Sequence, residues 1–438
     1  MGKKAEKEMT VEERLKALEV ENADLKKSAK DTLEVEKGMS NEEILQKAAI
    51  TTADIAAAGR LNDAQSNAFI DFVIDVTGLK GKTRVVRFRN DKLDIDKIGV
   101  GRRVAVAKKE AKDPGVRRKA NFSKITLQPE EIMVPWELSD EFVMENLEGE
   151  KVEDTIMRLM ATQMSNDLEE LYIQGDKLGA IVPEGDLIDG GSPTDVIVDT
   201  YLKLQDGWLK LAGQSHIVDH DGQNIGHQVF SDMIVEMPSK FKRNKRNLKF
   251  FISDTTEQLF RNNLAARATG LGDQAATSEM NLMPFGIELV PLALLPQTPL
   301  ITQHVTLTGT TPVALEHKNL VVGGETVVLQ SIDDNPLSPV TPFVEGVDYD
   351  MDYANGTIAR NGGGSLNSPS DIKISYLSQS QMWLTEFRNM ILGIGRDIQV
   401  EKDRNIYSSV TEFAMTARVA VQMEETDACV LGINIGLN

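Results

Sequence analysis

The sequence predicts an α+β fold that carries an all-β insertion, and three observations lead to this prediction. The chain has 438 residues, of which 41% are hydrophobic and 26% charged, enough for two or three globular domains. One long amphipathic helix is predicted at 150–174, with β-rich segments before and after it. Residues 301–378 lack a long helical pattern and alternate short strands with Gly, Pro, Asn and Ser.

Residues 1–40 are predicted to form a helical coiled coil. Apart from Asn22, small or apolar side chains follow one another at spacings of four and three residues from Val11 to Thr32, which is the pattern of a heptad seam. Asn22 lies at an a position, where a polar side chain fixes the register. A single solvated helix is the alternative, because the seam covers only three heptads.

Charge is distributed very unevenly along the chain. The net charge of −19 disfavours wrapping around nucleic acid as the main task, since that requires clustered Lys and Arg. Residues 80–124 nevertheless contain 16 Lys or Arg and five Asp or Glu, whereas residues 130–176 contain two and 14. We expect these two segments of opposite sign to contact each other in an assembly.

The basic segment is predicted to be an extended β-hairpin arm, residues 80–130. Its strand-like stretches are 83–89, 100–107 and 121–127. Because most of its side chains are long and basic, the arm offers little apolar surface, and an isolated ribbon is marginally stable. We therefore expect the acidic segment of another copy to cover it. The candidate inter-subunit contacts are Arg102, Arg103, Lys108, Lys109, Arg117, Arg118 and Lys119.

The rest of the chain reads as mixed α and β structure. The 150–174 helix begins with Glu and Asp in its first turn and ends at Gly175. A strand at 248–252 leads into a helix capped by Ser253 or Asp254, and a turn at 284–286 precedes another strand. The 301–378 region includes a hairpin with an Asn-Gly turn, and a final strand alternates through 415–423.

A search for chemistry finds no catalytic residue and no cofactor site. No phosphate-binding glycine loop or GxSxG motif is present, and Cys429 is the single cysteine, which excludes a disulfide framework. His216 and His220 would share one face of a helix, as in a zinc site, with His227 nearby. Ile217 stands where HExxH has its glutamate, so a polar turn with surface histidines is the other interpretation.

Two further features of the sequence bear on contact with membranes and nucleic acid. No apolar run approaches the length of a membrane span and no secretory signal is visible, so a soluble protein of a reducing compartment is expected. A basic run at 240–249 could touch phosphates, or it could be a solvated or subunit-facing surface.

The order of these parts resembles the major capsid protein of tailed bacteriophages, the Hong Kong 97-type fold. The most telling stretches are 132–140 (IMVPWELSD) before the long helix, 283–287 (MPFGI) before a strand, and 413–421 (FAMTARVAV) near the end. The resemblance covers roughly residues 60–300 and 380–438. The coiled coil and the β insertion depart from the minimal family plan.

The resemblance implies a structural protein that assembles through hexamers and pentamers into an icosahedral shell around double-stranded DNA. It implies contact with DNA that is non-specific, no membrane, a place in the virion and assembly in the host cytoplasm, with scaffolding, portal and decoration proteins as possible partners. The segments it implies are an N-terminal arm (41–79), a peripheral domain (131–204) with the spine helix, an axial domain (205–300), the all-β insertion (301–378) and a return to the axial and peripheral domains (379–438).

Three alternatives stay open from the sequence. An encapsulin-type compartment shell shares the fold, but the coiled coil and the β insertion argue against it. A metal-dependent enzyme would use the histidines between 216 and 227. A tail or fibre component would fit the β insertion alone, whereas the long central helix argues against it.

Overall fold

The computed structural model describes residues 83–88, 92–99, 121–145, 151–187, 194–267, 282–330 and 340–436, together with residues 90, 105 and 192. The chain divides into two compact units. Described residues 135–145, 151–157 and 398–414 belong to the first unit, and the other described residues belong to the second. The predicted coiled coil (1–40) and N-terminal arm (41–79) lie outside the described residues.

Both helices and strands are present, which confirms the predicted α+β class. The α-helices are α1 (Asp140–Glu145), α2 (Lys151–Gln174), α3 (Glu184–Leu187), α4 (Trp208–Ala212), α5 (His227–Glu236) and α6 (Asp254–Ala265). The strands are β1 (Arg84–Arg87), β2 (Leu93–Gly99), β3 (Asn121–Leu127), β4 (Glu130–Ser139), β5 (Ile181–Pro183), β6 (Val196–Val198), β7 (His216–Asp219), β8 (Leu248–Ser253), β9 (Glu288–Leu292), β10 (Leu300–Leu307), β11 (Val313–Ala314), β12 (Thr326–Leu329), β13 (Tyr349–Asp352), β14 (Thr357–Arg360), β15 (Ser370–Leu377), β16 (Ser380–Glu386), β17 (Met390–Asn405), β18 (Val410–Met423) and β19 (Cys429–Ile435).

One apolar core of the second unit lies on a five-stranded sheet of order β7-β19-β16-β8-β9. The pairs β7 with β19 and β8 with β9 are parallel, and the other two pairs are antiparallel. Phe230 of α5 makes edge-to-face contacts with Phe250 of β8 and with Phe260 of α6, each at 4.9 Å between ring centroids, so α5 packs on both the sheet and α6. Ser253 caps α6 by accepting a hydrogen bond from the Thr256 N–H, as predicted.

Residues 300–377 contain strands and no helix among those that the structure describes. They form two three-stranded sheets, β10-β15-β12 and β11-β14-β13, around a shared apolar cluster that includes Leu307, Ile358 and Ile374. The predicted hairpin is present as β13 and β14, and Gly356 in its turn has φ +62°. The bounds of an inserted domain stay a prediction.

Helix α2 agrees with the predicted helix. Met164, Leu168 and Leu171 on its apolar side are buried, whereas Leu159 is 64% exposed. A Cβ at Gly175 would lie 2.3 Å from the Gln205 carbonyl oxygen, so the helix ends where another backbone segment approaches closely.

The described residues of the predicted arm contain an antiparallel ribbon, but one of its two strands was not predicted. The strand paired with β3 is β2, in register from Leu93↔Leu127 to Gly99↔Asn121, and β1 instead pairs in parallel with β17. The sequence reading missed β2 because Asp94 and Asp96, which are uncommon in strands, occupy its polar positions. The expected strand at 100–107 lies outside the described residues apart from Ala105, which is not in a strand.

Candidate subunit interface

The β2–β3 ribbon balances part of its own charge. The Lys124 ammonium lies 2.5 Å from an Asp94 carboxylate oxygen, and the Thr126 hydroxyl donates to the same carboxylate at 2.8 Å. These hydrogen bonds lower the pKa of Asp94 below its usual value. Acidic residues on β2 therefore neutralise some of the basic charge that the sequence assigns to the arm.

The base of the ribbon packs on an apolar cluster of its own unit. Leu127 at the end of β3 is buried against Ile391 and Ala420, from β17 and β18. Four partly buried side chains complete the cluster: Val86, Phe88, Leu93 and Ile95. The expectation that the ribbon brings little apolar surface is wrong at its base, because Leu93, Ile95 and Leu127 share one face through the two-residue period of the strands.

Two glycines of β17 make room for the chain on either side of the ribbon. A Cβ at Gly393 would lie 3.0 Å from the Phe88 ring, and one at Gly395 would lie 2.9 Å from the Pro129 ring. Phe88 precedes β2 and Pro129 follows β3. Because Gly393 and Gly395 have no side chains, the residues at both ends of the ribbon can pack closely against β17.

Ion pairs also attach the ribbon and β1 to the turn that follows β18. Lys97 pairs with the Glu425 carboxylate and also donates to the Glu424 carbonyl at 3.3 Å, while Arg84 pairs with Glu424 at 3.1 Å. Buried Asn389 holds this turn, because its side chain accepts from the Glu425 N–H at 2.7 Å and donates to the Glu425 carbonyl at 2.9 Å. The ribbon base is anchored within one subunit.

The seven basic residues predicted to touch a neighbour lie outside the described residues, so that contact stays a prediction. On the described part of the ribbon, Phe122 is 76% exposed. On the acidic side, Glu131, Glu137 and Glu141 are exposed, and Glu131 lies 3.9 Å from Arg418. Exposed apolar and acidic side chains are therefore available for contacts between copies.

A second exposed surface lies at the turn between β17 and β18, in the first unit, and the sequence reading missed it. Ile406 is 80% exposed and Tyr407 is fully exposed. The turn is well built: the Asn405 side chain accepts from the Tyr407 N–H at 3.2 Å, and Arg404 pairs with Asp140 at 2.7 Å. The sequence signal for this exposed turn was the pair Ile406 and Tyr407, two large apolar residues that stand between Asn405 and two serines.

The histidine cluster does not take the form that a metal site on a helix requires. His216 lies in strand β7, so it and His220 do not share a helix face, and the helical alternative is wrong. His220 is buried, and burial lowers its pKa, whereas His216 lies 3.3 Å from Glu236. His227 packs edge-on against Phe260. No group of three His, Cys, Asp or Glu side chains suited to a metal ion occurs within the described ranges.

The basic run at 240–249 is only partly available to a ligand. Lys249 pairs with Glu288, and Lys242 donates to the Val235 carbonyl at 2.7 Å. Arg243, Lys245 and Arg246 are exposed.

In the part of the chain that the structure describes, no helix has both the length and the apolar character of a membrane span.

Comparison with known proteins gives a capsid relative. No protein-family model matches the chain. It is 28% identical over 289 residues to the "Putative prophage capsid protein YqbE" of Bacillus subtilis strain 168, covering 65% of this chain and 86% of that protein. The predicted resemblance to phage capsid proteins is confirmed. The capsid resemblance covers most of the relative's length, so it is not confined to a single shared motif.

Solved structures of two capsids and one encapsulin complex also match this chain. The satellite phage P4 procapsid is 9% identical, with a TM-score of 0.48 over 88% of this chain and 95% of that one. The capsid of a native GTA particle is 12% identical, with a TM-score of 0.45 over 82% and 91%. The SrpI encapsulin complex of Synechococcus elongatus PCC 7942 is 8% identical, with a TM-score of 0.42 over 81% and 86%.

Proposed function

We propose that this chain is the structural subunit of a phage-type capsid, and that it self-assembles through hexamers and pentamers into an icosahedral shell around double-stranded DNA. The observation that carries the proposal is the similarity to the prophage capsid protein over 86% of that protein. The subunit has no catalytic task in this proposal. Its place is the virion, after assembly in the host cytoplasm.

The proposed contact between copies follows from the charge map and from the anchored ribbon. The base of the ribbon packs on its own unit at Gly393 and Gly395, and the basic residues of the arm are proposed to contact the acidic segment of a neighbouring copy. Opposite charge steers orientation and register more than it adds affinity, because an exposed pair contributes about 0–1 kcal/mol.

Apolar contacts supply most of the holding energy in this proposal. Phe122 on the ribbon and Tyr407 on the β17–β18 turn are large, exposed side chains that a neighbouring copy can bury. Each contact between copies is weak by itself. A closed shell nevertheless becomes stable because every subunit is held by several neighbours at once.

Charge reversal in the outer ribbon tests the proposal. The triple variant Arg117→Glu, Arg118→Glu and Lys119→Glu is expected to fold but to form no shells, as seen by electron microscopy. Three exposed basic residues elsewhere provide a control with the same change in net charge, and their reversal should leave shells intact: Arg243, Lys245 and Arg246. Normal shells from the first variant, with thermal melting unchanged, would contradict the proposed contact.

The remaining partners are also proposals. Scaffolding, portal and decoration proteins are the expected protein partners, and packaged DNA would be held by non-specific phosphate contacts. Arg243, Lys245 and Arg246 are exposed basic side chains available for phosphate. If they serve this role, their triple Glu variant should form shells that retain less nuclease-protected DNA, whereas equal DNA content would exclude these three residues.

A further inference from the structure

A buried polar network joins residues 300–377, whose described part contains strands and no helix, to the five-stranded sheet. The network is a chain of hydrogen bonds. It runs from Gln303 of β10 to Tyr376 of β15, then to His317 in the loop after β11, and ends at Gln381 of β16. All four side chains are buried. Polar side chains in such a place are costly unless each is hydrogen-bonded, so the direction of every bond matters.

The backbone sets the direction of these hydrogen bonds. The Glu316 N–H donates to Gln303 Oε1 at 3.1 Å, and a backbone donor cannot reverse its role. Gln303 Oε1 therefore also accepts from the Tyr376 hydroxyl, at 2.9 Å. That hydroxyl has its hydrogen committed, so it accepts from His317 Nδ1–H at 3.0 Å. The imidazole thus carries its proton on Nδ1.

The second ring nitrogen of His317, Nε2, is a hydrogen-bond acceptor in the network. Gln381 Nε2 donates to His317 Nε2 at 3.0 Å and to the Ser378 hydroxyl oxygen at 3.0 Å. The single hydrogen of the Ser378 hydroxyl has two acceptors within reach, the Gln379 carbonyl at 3.2 Å and the Pro299 carbonyl at 3.3 Å. Ser378 and Pro299 lie in the two connections between residues 300–377 and the rest of the unit, and the Ser378 N–H also donates to Pro299, at 3.0 Å.

We propose that this network is an acid-sensitive lock between residues 300–377 and β16, opened when His317 takes up a proton at Nε2. The added proton would point at the N–H of Gln381, so the Gln381 amide must turn over. Its oxygen would then face Ser378 and compete for the hydroxyl hydrogen with the Pro299 and Gln379 carbonyls. The lock does not depend on the proposed capsid function, because it concerns the folded chain alone.

The surroundings of His317 oppose its protonation at neutral pH. Burial lowers the pKa of His317 to about 4; the Asp219 carboxylate opposes this shift, and the Lys210 ammonium adds to it. Tyr376 stays protonated, because burial raises its pKa above the usual range and the Glu316 carboxylate raises it further. Since the folded-state pKa lies below the unfolded value of about 6.5, the stabilisation is present above that value and is lost as the pH falls towards 4.

Histidine NMR on the full chain tests the lock. Five imidazoles are present, and single His→Gln variants assign their signals. We expect His317 to remain the neutral Nδ1–H tautomer down to about pH 5, with a midpoint near 4. A midpoint of 6.5 or above would overturn the proposal. Should His317→Gln fail to fold, variants at the other four positions assign His317 by elimination.

Urea unfolding between pH 7 and 4.5 gives the second readout. The wild-type folding constant should fall roughly fifty-fold more than that of His317→Gln, which is the loss expected from unfolded and folded pKa values of about 6.5 and 4. A His304→Gln variant, which alters an exposed imidazole on the same sheet, should retain the wild-type pH dependence. Equal slopes for wild type and His317→Gln would contradict a lock at this residue.

Discussion

Truncating Leu127 should release the ribbon while leaving the rest of the subunit folded. Leu127 is 1% exposed and is one of three buried residues in the cluster at the ribbon base, beside Ile391 and Ala420. Replacing a buried leucine by alanine costs about 2–5 kcal/mol, since apolar contact is lost and a cavity remains. A loss of about 3 kcal/mol is roughly a hundred-fold change in an equilibrium constant.

Hydrogen exchange measures this change locally. In Leu127→Ala, the amides of β2 and β3 should exchange about a hundred-fold faster, or reach the rate of an open chain, because the cluster holds the ribbon closed. The amides of β16 and β19, in the five-stranded sheet, should keep their protection. The matched control is Phe122→Ala on the same strand, an exposed position where truncation should change stability by no more than about 0.5 kcal/mol.

Two results would refute this reasoning. Equal exchange in Leu127→Ala and Phe122→Ala would mean that the ribbon is not held by its apolar base. A loss of protection spread evenly over the ribbon and the five-stranded sheet would mean that the ribbon does not open separately from the remaining structure.

Further predictions concern three other sites. Tyr407→Ser should leave the melting temperature unchanged but lower the yield of shells, since the side chain is fully exposed; an undiminished yield would remove the turn from the proposed interface. Gly356→Ala should destabilise the chain to urea by at least about 1–3 kcal/mol, because φ is +62° and the new Cβ would clash with the His317 carbonyl oxygen, whereas Gly363→Ala has open space and should cost much less. Burial raises the pKa of the Cys429 thiol to about 12, so a disulfide reagent at pH 8 should label it only in denaturant; fast labelling of the native chain would contradict this burial.

The sequence predicted the elements whose signals are local. Helix α2, the Ser253 cap and the Asn-Gly hairpin follow from periodicity, capping and turn chemistry, which neighbouring residues determine. It did not predict that β1 pairs with β17, because that parallel pairing joins residues far apart in the chain. No local pattern in either segment specifies the partner.

The candidate interface was predicted less well than the fold. The count of charged residues located the ribbon. It did not reveal the apolar face of Leu93, Ile95 and Leu127, because these residues lie among many basic ones in the sequence. His216 and His220 have a helical spacing, yet the surrounding apolar residues place His216 in a strand. Exposure of Tyr407 depends on tertiary packing, so composition alone does not reveal it.

Electron microscopy of the purified 438-residue chain tests the central proposal most directly. The proposal predicts uniform, closed polyhedral particles, because each copy both offers a ribbon and receives one. A homogeneous population of single subunits or small discrete oligomers, at concentrations and salt conditions that favour association, would contradict it.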